Sequence, residues 1–360
     1  MKLLHVTATH LKPDGGVPVV LKNLVSEQNK IENFRVKVIS LVAPVDEMDS
    51  PYFEYVGISN FEKKIDEFCP DLVILHSFYY IVYNHVVHIL NKKNIRYYIE
   101  PHGSFGKAAL NKSKIKKIIA NNTVFKSQLS NAYGFIFLNE AERKDSKYQT
   151  KNDVIIPNGM SFHSKTVKLK QQRKENTIYF IGRYDIEHKG LDYLLDAMDE
   201  LEKQKYYINL YLWGKGTNRT IKYLTNRCKD YKYVNVIISK SIYGEKKDLI
   251  LEQFGPMILT SRYEGFPMTI LEAWRYGNPC IVTPGTNMFE EIQNENLGWG
   301  TGIDGKEIAE VLKVALRDYE KNREIYIKRC KKYLEMNYSW DKIARKSYKI
   351  LSMKSKELRK

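Results

Sequence analysis

The feature that most constrains the fold of this chain is a regular alternation of short apolar runs with longer helix-like segments. In the first half the apolar runs cover residues 2–9, 34–41, 71–76, 96–100, 133–138 and 153–156. Continuous apolar strands that alternate with helices are typical of a parallel sheet covered by helices on both faces. We therefore predict an α/β, doubly wound (Rossmann-like) architecture.

The alternation is interrupted once and then starts again. Residues 161–175 are polar and lysine-rich without periodicity, and strand-like runs return at 177–181, 207–213, 234–238, 257–260 and 280–283. A chain of 360 residues is long for one core. We expect an N-terminal domain over 1–163 and a C-terminal domain over 164–338, with a last helix at about 339–360 packing back on the first. Two such domains would face a central cleft, where ligands of doubly wound folds collect.

One loop, helix and strand carry two carboxylates in a pattern typical of a binding site. The stretch 262–283 reads R-Y-E-G-F-P-M-T-I-L-E-A-W-R-Y-G-N-P-C-I-V-T, and Pro267 suits the first position of a helix that ends before Gly277. Glu264 precedes this helix and Glu272 lies inside it. Both side chains can face a ligand held at the helix N-terminus, where free N–H groups favour anions.

Further polar residues follow other predicted strands. Gly182-Arg183 and Lys189-Gly190 supply two cations that suit a diphosphate. Gly15 and Gly16 allow the backbone to approach an anion closely. His102 stands between Pro and Gly at the end of a strand. Taken singly, each feature has an ordinary explanation as a turn glycine, a surface cation, a helix-capping glutamate or a structural histidine.

Together these motifs resemble a known family. In order along the chain they are G-G-V-P, P-H-G-S, I-P-N-G, G-R-Y-D-I-E-H-K-G-L-D-Y-L-L-D-A, L-W-G-K-G and E-G-F-P-M-T-I-L-E-A, densest between Ile178 and Thr283. The chain resembles retaining glycosyltransferases of the GT-B fold, in the large family 4 (group 1) of glycogen-synthase-like and lipopolysaccharide-type enzymes.

This resemblance implies roles for individual residues. Arg183 and Lys189 would hold the diphosphate of a UDP- or GDP-sugar, Glu272 the ribose, and Glu264 the donor sugar, with His102 beside the reacting sugar. Other donor-binding positions would be Gly15, Gly16, Gly182, Gly214, Gly265, Phe266, Pro267 and Met268. No D-x-D triplet occurs, so we expect no metal and no cofactor; the two cations would stabilise the leaving group.

The charge of the chain suggests an anionic surface as a further partner. The net charge is +16, and six lysines with no acid lie between Lys107 and Lys126. Lys112, Lys114, Lys116 and Lys117, with Ile115, Ile118, Ile119 and Phe125 as an apolar side, are candidates to face a membrane. We expect a cytoplasmic protein, peripheral on the inner face of the cell membrane, that acts on a saccharide or lipid-linked acceptor in bacterial surface polysaccharide synthesis. The plainer explanation is a solvated helix.

Two other functions fit parts of the sequence. A sugar-nucleotide epimerase of the same fold would also bind a diphosphate. A non-enzymatic protein that binds acidic polymers would account for the basic C-terminal region, since residues 321–360 carry 14 Lys/Arg against four Asp/Glu. The usual nucleic-acid-binding motifs are absent, so no nucleic acid is expected. The four cysteines form no C-x-x-C pair, which favours free thiols.

Overall fold

The computed structural model describes residues 1–8, 16–43, 50–111, 114–162 and 175–357. These residues form two compact units, one made of Met1–Ser161 with Asn337–Lys360 and the other of Phe162–Met336. The first division lies two residues before the boundary expected at 163, and the second lies two residues before that expected at 338. Most of the polar segment at 161–175 lies outside the described residues.

The described part of the first unit contains one parallel sheet of seven strands in the order β3-β2-β1-β4-β5-β6-β7. The strands are β1 Lys2–Thr7, β2 Arg35–Ser40, β3 Phe53–Tyr55, β4 Leu72–His76, β5 Tyr97–Glu100, β6 Gly134–Phe137 and β7 Val154–Ile155. The helices are α1 Gly16–Gln28, α2 Phe61–Phe68, α3 Val82–Lys92, α4 Lys107–Asn111, α5 Lys114–Asn122, α6 Lys126–Ser130 and α7 Glu140–Asp145.

Strand β4 shows why these sequences form a sheet buried on both faces. Its side chains alternate between the two faces, so that Leu72 and Ile74 join one hydrophobic core while Val73 and Leu75 join the other. All four are at most 2% exposed. A continuous apolar run is therefore the sequence that this position requires.

The second unit repeats the architecture with six parallel strands in the order β10-β9-β8-β11-β12-β13. They are β8 Thr177–Ile181, β9 Ile208–Gly214, β10 Val234–Lys240, β11 Met257–Leu259, β12 Cys280–Val282 and β13 Gly298–Gly300. The helices that follow are α8 Ile186–Lys189, α9 Leu191–Lys203, α10 Asn218–Cys228, α11 Gly244–Gln253, α12 Met268–Arg275, α13 Phe289–Asn294 and α14 Gly305–Tyr338, the last with a kink at Asn322.

The last helix, α15 (Trp340–Glu357), belongs to the first unit, where it packs against α1. Trp340 lies directly on Gly159, where a Cβ atom would come within 2.5 Å of the indole ring. Gln28 of α1 donates a hydrogen bond to Ser347 of α15 across 3.0 Å, with both residues buried. The glycine of the I-P-N-G motif therefore serves the docking of this helix.

Three details differ from the sequence prediction. The short edge strands β3 and β13 are absent from the predicted ranges, because neither carries a continuous apolar run. Pro267 is the N-cap residue and the helix begins at Met268. Phe125 is buried against Phe78 and Tyr79, so it is not part of an apolar surface, whereas Ile115 and Ile119 are well exposed.

Candidate active site

In the second unit Arg183 and Glu264 lie at the point where the strand order reverses, whereas in the first unit His102 follows β5, one strand away from the reversal between β1 and β4. In the second sheet β8 lies between β9 and β11, and the chain leaves β8 towards Arg183 and leaves β11 towards Glu264. In the first sheet β1 lies beside β4. Ligands of open α/β sheets bind beyond the carboxyl ends of strands at such switch points.

The second unit brings Lys189 and Glu264 into direct contact. Lys189 Nζ donates to Glu264 Oε1 at 2.5 Å, and Ser261 Oγ donates to the same oxygen at 2.5 Å. The side chains of Lys189 and Glu264 are only 13% and 10% exposed. A cation expected at the diphosphate and a carboxylate expected at the sugar therefore form one ion pair.

His188 completes this group, although sequence reasoning did not single it out. Its ring stacks on Tyr263 with centroids 4.2 Å apart, and its Nδ1 lies 3.4 Å from Arg183 Nη2. Burial lowers the pKa of His188, while the nearby Glu264 acts in the opposite direction. The signal available in the sequence was the position of His188 next to Lys189 in H-K-G. Neighbouring residues of one short helix lie close to each other and therefore near the same ligand.

Backbone packing fixes the position of Lys189. Gly190 has a φ of 58°, and a Cβ atom there would lie 2.0 Å from the carbonyl oxygen of Thr260. The hydroxyl of Thr260 donates to the carbonyl oxygens of Lys189 and Gly190 at 3.1 and 2.8 Å. Only glycine allows α8 to approach the end of β11 so closely.

A second set of contacts holds the loop that carries Glu264. Arg262 forms two hydrogen bonds with Asp192, at 2.8 and 2.6 Å, and its guanidinium lies 3.8 Å from the ring centroid of Tyr193. Asn287 Nδ2 donates to the carbonyl oxygen of Glu264 at 2.5 Å. These contacts tie the loop to α9 and to the segment after β12, so that Glu264 is held from both sides.

The remaining predicted donor residues are distributed around this group. Glu272 Oε2 accepts from Lys247 Nζ at 2.6 Å. Phe266 and Pro267 are buried, and Gly265 and Met268 are partly exposed at the start of α12. Gly182 and Gly214 pack against each other, because a Cβ atom on Gly214 would lie 2.1 Å from the carbonyl oxygen of Gly182.

In the first unit His102 joins a buried cluster. His76 Nδ1 lies 3.3 Å from His102 Nε2 and 3.3 Å from Glu100 Oε2, and His102 Nδ1 lies 3.5 Å from Glu100 Oε1. Burial lowers the pKa of His102 to about 4, and burial followed by the charge of Glu142 raises the pKa of Glu100 to about 8. His102 is therefore neutral at neutral pH, and Glu100 retains its proton there.

The same cluster is a possible set of metal ligands. Its imidazole and carboxylate ligand atoms all lie within 4.8 Å of one another. The contacts are equally those of hydrogen bonds, so the geometry alone does not select a metal. The expectation that the chain uses none stays a prediction.

Two predicted residues lie outside the part of the chain that the structure describes, and the basic segment is only partly described. Gly15 and Lys112 fall outside it. Gly16 begins α1, and a Cβ atom added there would have no described atom within 4 Å. Lys114 and Lys116 are exposed. Lys117 is turned inwards, since its Nζ donates to the carbonyl oxygen of Ala109 at 2.6 Å.

The fold defines the class of protein. The chain has the GT-B fold of two Rossmann-like α/β units. Anabaena HepE in complex with UDP is similar to it with a TM-score of 0.74 over 98% of this chain and 100% of that one, at 15% identity. Sucrose-phosphate synthase from Thermosynechococcus elongatus gives 0.74 over 98% and 99% of the chains, at 18% identity.

The sequence comparison finds similarity to one family of enzymes. Residues 162–333 match the family described as "Glycosyl transferases group 1". An uncharacterised glycosyltransferase of Methanocaldococcus jannaschii is 28% identical over 181 residues, which are 50% of this chain and 45% of the relative. Lipopolysaccharide 1,6-galactosyltransferase of Escherichia coli K12 is 28% identical over 134 residues, 35% of each protein. The matches thus span less than half the length of these relatives.

Proposed function

We propose that the chain is a retaining glycosyltransferase that moves a sugar from a UDP- or GDP-sugar to a saccharide or lipid-linked acceptor. The process that we propose is bacterial surface polysaccharide synthesis, such as that of capsule, O-antigen or exopolysaccharide. The observation that carries the proposal is the group formed by Arg183, His188, Lys189 and Glu264 at the switch point of the second sheet. The names of relatives, a lipopolysaccharide galactosyltransferase and an amylovoran biosynthesis glycosyltransferase, favour the pathway.

The charges of this group suit the breaking of a sugar–phosphate bond. Negative charge builds on the diphosphate as the bond breaks, and fixed cations at that place lower the barrier. In our proposal Arg183 and Lys189 carry this charge stabilisation, because burial lowers the pKa of His188 and so disfavours its charged form. Arg183 supplies a planar fork and Lys189 a point charge.

Glu264 has two tasks in this scheme. It orients Lys189 through the 2.5 Å ion pair, and its second oxygen, Oε2, is available to accept a hydrogen bond from a hydroxyl of the donor sugar. Glu272, held by Lys247, would accept hydrogen bonds from the ribose. In this scheme the sugar and the diphosphate are bound by Glu264 and Lys189, two side chains in direct contact.

We further propose that the reaction needs no metal ion and retains the anomeric configuration. The absence of a D-x-D triplet from the sequence supports the first point, and the resemblance to family 4 supports the second. Front-face attack, with the leaving phosphate oxygen taking the acceptor's proton, needs no dedicated general base. Full activity in excess EDTA and a product of unchanged anomeric configuration, read from its ¹H coupling constant, are the expected results.

A ligand panel followed by a transfer assay tests the activity. At a hundred times its dissociation constant, the correct UDP-, GDP- or ADP-sugar should stabilise the protein by about 2.7 kcal/mol in a thermal-shift experiment. Arg183→Ala should abolish this shift. Arg219→Ala, which removes an exposed arginine of the same unit, is the matched control and should retain it.

The transfer assay separates the rival functions. Sugar appearing on an added acceptor supports the transferase, and epimerised free nucleotide sugar supports the epimerase. A protein that binds acidic polymers equally well with Arg183→Ala, and turns over no nucleotide sugar, contradicts both enzymatic functions.

For the acceptor we propose an approach to an anionic membrane surface through α5. Lys114 and Lys116 are exposed beside Ile115, which is 75% exposed, and Ile119, which is 59% exposed. Each lysine near an anionic leaflet contributes about 1 kcal/mol. No helix in the described ranges has the length and apolar character needed to cross a bilayer.

Vesicle sedimentation tests this surface. The protein should pellet with anionic vesicles at low salt and be released at high salt, and Lys114→Glu with Lys116→Glu should weaken pelleting. Lys222→Glu with Lys229→Glu, which reverses two exposed charges of the second unit, is the control for net charge. Equal weakening by both pairs would reduce the effect to non-specific attraction.

A further inference from the structure

A line of hydrogen bonds runs from the last helix of the first unit to His102. His5 Nδ1 lies 2.7 Å from His76 Nε2, and His76 Nδ1 lies 3.3 Å from His102 Nε2. At the other end His5 Nε2 lies 3.3 Å from Gln28 Oε1, and Gln28 Nε2 lies 3.0 Å from Ser347 Oγ. His5, Gln28, His76 and Ser347 are all at most 1% exposed.

The direction of this line is fixed at Ser347. Its hydroxyl donates to the carbonyl oxygen of Ala344 at 2.7 Å, and a carbonyl oxygen can only accept. Because the single hydroxyl proton is used there, Ser347 Oγ must accept from the amide nitrogen of Gln28. The carboxamide of Gln28 therefore turns its oxygen towards His5.

Each ring along the line then has only one suitable tautomer. Gln28 Oε1 can only accept, so His5 donates from Nε2 and the Nδ1 atom of His5 carries no proton. His76 must then donate from Nε2 to that nitrogen, which leaves its own Nδ1 without a proton. Of the two groups that lie 3.3 Å from His76 Nδ1, His102 Nε2 and Glu100 Oε2, His102 is the donor in this scheme. Neutral imidazole has one donor and one acceptor nitrogen, so the line ends at a bare Nδ1 on His102.

We infer that Ser347 and Gln28, acting through His5 and His76, are positioning residues that hold His102 as a hydrogen-bond acceptor at Nδ1. The group that it accepts from is a hydroxyl of the sugar substrate, a step that rests on the proposed function. In the free protein the nearest partner of Nδ1 is Glu100 Oε1 at 3.5 Å. At 3.5 Å this contact is long for a hydrogen bond, and in our inference the substrate hydroxyl replaces it.

Burial of the rings favours their uncharged form, because a charged imidazole loses its solvation there. Burial lowers the pKa of His5 and of His102 to about 4 and places that of His76 well below its usual value. Among the described residues, the titratable groups near the rings include Glu100 on β5, which contacts His76 and His102, Glu142 on α7, which acts on Glu100, and Tyr83 on α3. Burial raises the pKa of Glu142, while backbone N–H groups of Leu138 and Gly103 act against that rise. The Tyr83 hydroxyl donates to the His76 carbonyl oxygen at 2.7 Å.

Nitrogen NMR of protein labelled with ¹⁵N-histidine tests the inference without any assay of transfer. At pH 7.5 the signals of His5, His76 and His102, assigned from single His→Asn variants, should all report neutral rings protonated at Nε2. A proton on Nδ1 of His76 or His102, or a charged ring, overturns the inference.

The variant Ser347→Ala tests whether Ser347 sets the tautomer of His102. It removes the hydroxyl that orients Gln28, so the amide can turn over and His102 should show a mixture of both tautomers. Ser355→Ala, at another buried serine of the same helix, should leave the tautomers unchanged, as should the isosteric Glu100→Gln, which keeps a donor. Unchanged tautomers in a folded Ser347→Ala protein overturn the inference.

Kinetics connect the tautomer with the reaction. Ser347→Ala should lower kcat roughly 2- to 12-fold, as expected for one neutral hydrogen bond, while the dissociation constant of UDP stays the same. If the NMR result holds and no sugar transfer is found even for the unaltered protein, the proposed function fails and the histidine line stands. If transfer is found and the tautomers differ from those stated, the inference about the histidines fails and the proposed function stands.

Discussion

Replacing Glu264 by Gln separates the two tasks of this residue. The substitution keeps the shape and can still accept from Ser261, but it removes the charge that pairs with Lys189. At 2.5 Å and an effective dielectric constant near 20 the attraction in this pair is about 7 kcal/mol before desolvation. Desolvation of both groups offsets most of it, and we expect a net loss of stability of about 1–3 kcal/mol.

The effect on turnover should exceed the effect on nucleotide binding. Loss of a charge-assisted hydrogen bond to the sugar, at about 1.5–3 kcal/mol, should lower kcat roughly 10- to 150-fold. Lys189 loses its neutralising partner, so UDP should bind equally well or more tightly. Steady-state kinetics and calorimetric titration with UDP measure the two quantities. Glu324→Gln, an exposed glutamate on α14, is the matched control.

Two results would refute this reasoning. If UDP binding weakens in parallel with kcat while the protein stays folded, Glu264 has only a structural role. If Glu264→Gln and Lys189→Ala combine additively, the two residues do not act as one unit, because directly contacting partners should show an interaction energy of about 0.5–3 kcal/mol in a double-mutant cycle.

Three further predictions concern other residues. Glu272→Gln should weaken binding of UDP but not of pyrophosphate, since its expected partner is the ribose; calorimetry with the two ligands compares them. Gly190→Ala should lower the melting temperature well beyond Gly244→Ala. The two glycines have similar positive φ values, 58° and 55°, so both substitutions strain the backbone alike. Of these two sites, only Gly190 would bring the new methyl group against a carbonyl oxygen, that of Thr260. Burial raises the pKa of Glu100 to about 8, so its folded form holds a proton that the unfolded form has lost; stability from this group is complete below pH 4.5 and falls as pH rises towards 8. Glu100→Gln should abolish that decline in urea unfolding between pH 6.5 and 8, and an unchanged slope would contradict the assignment.

The sequence predicted the architecture well because buried parallel strands need continuous apolar runs. The strands β4 and β8, for example, lie within one residue of the predicted ranges. The edge strands β3 and β13 were missed because an edge strand has one neighbour and needs little apolar pattern. Gly298-Trp299-Gly300 has none.

The contacts within the site were less accessible to sequence reasoning. Arg183, Lys189 and Glu264 were each chosen as candidates, but the ion pair of Lys189 with Glu264 depends on how β8 lies beside β11, with α8 seated on Thr260. The histidine line joins residues between 5 and 347 in the sequence. A strand register would have shown His76 beside Glu100. The packing of the last helix on the first domain was predicted, but nothing in the sequence indicated that α1 is its partner.

The return of the last helix to the first unit has a consequence for recombination. The second unit is one continuous insertion between residues 161 and 337, so exchanging it for the corresponding unit of a related protein requires two junctions. A single crossover in the polar segment near 161 would carry a foreign α15 into the first unit. That helix would then have to supply both an equivalent of Trp340 for Gly159 and a hydroxyl for Gln28. Chimeras built with both junctions should express and fold more often than those built with one.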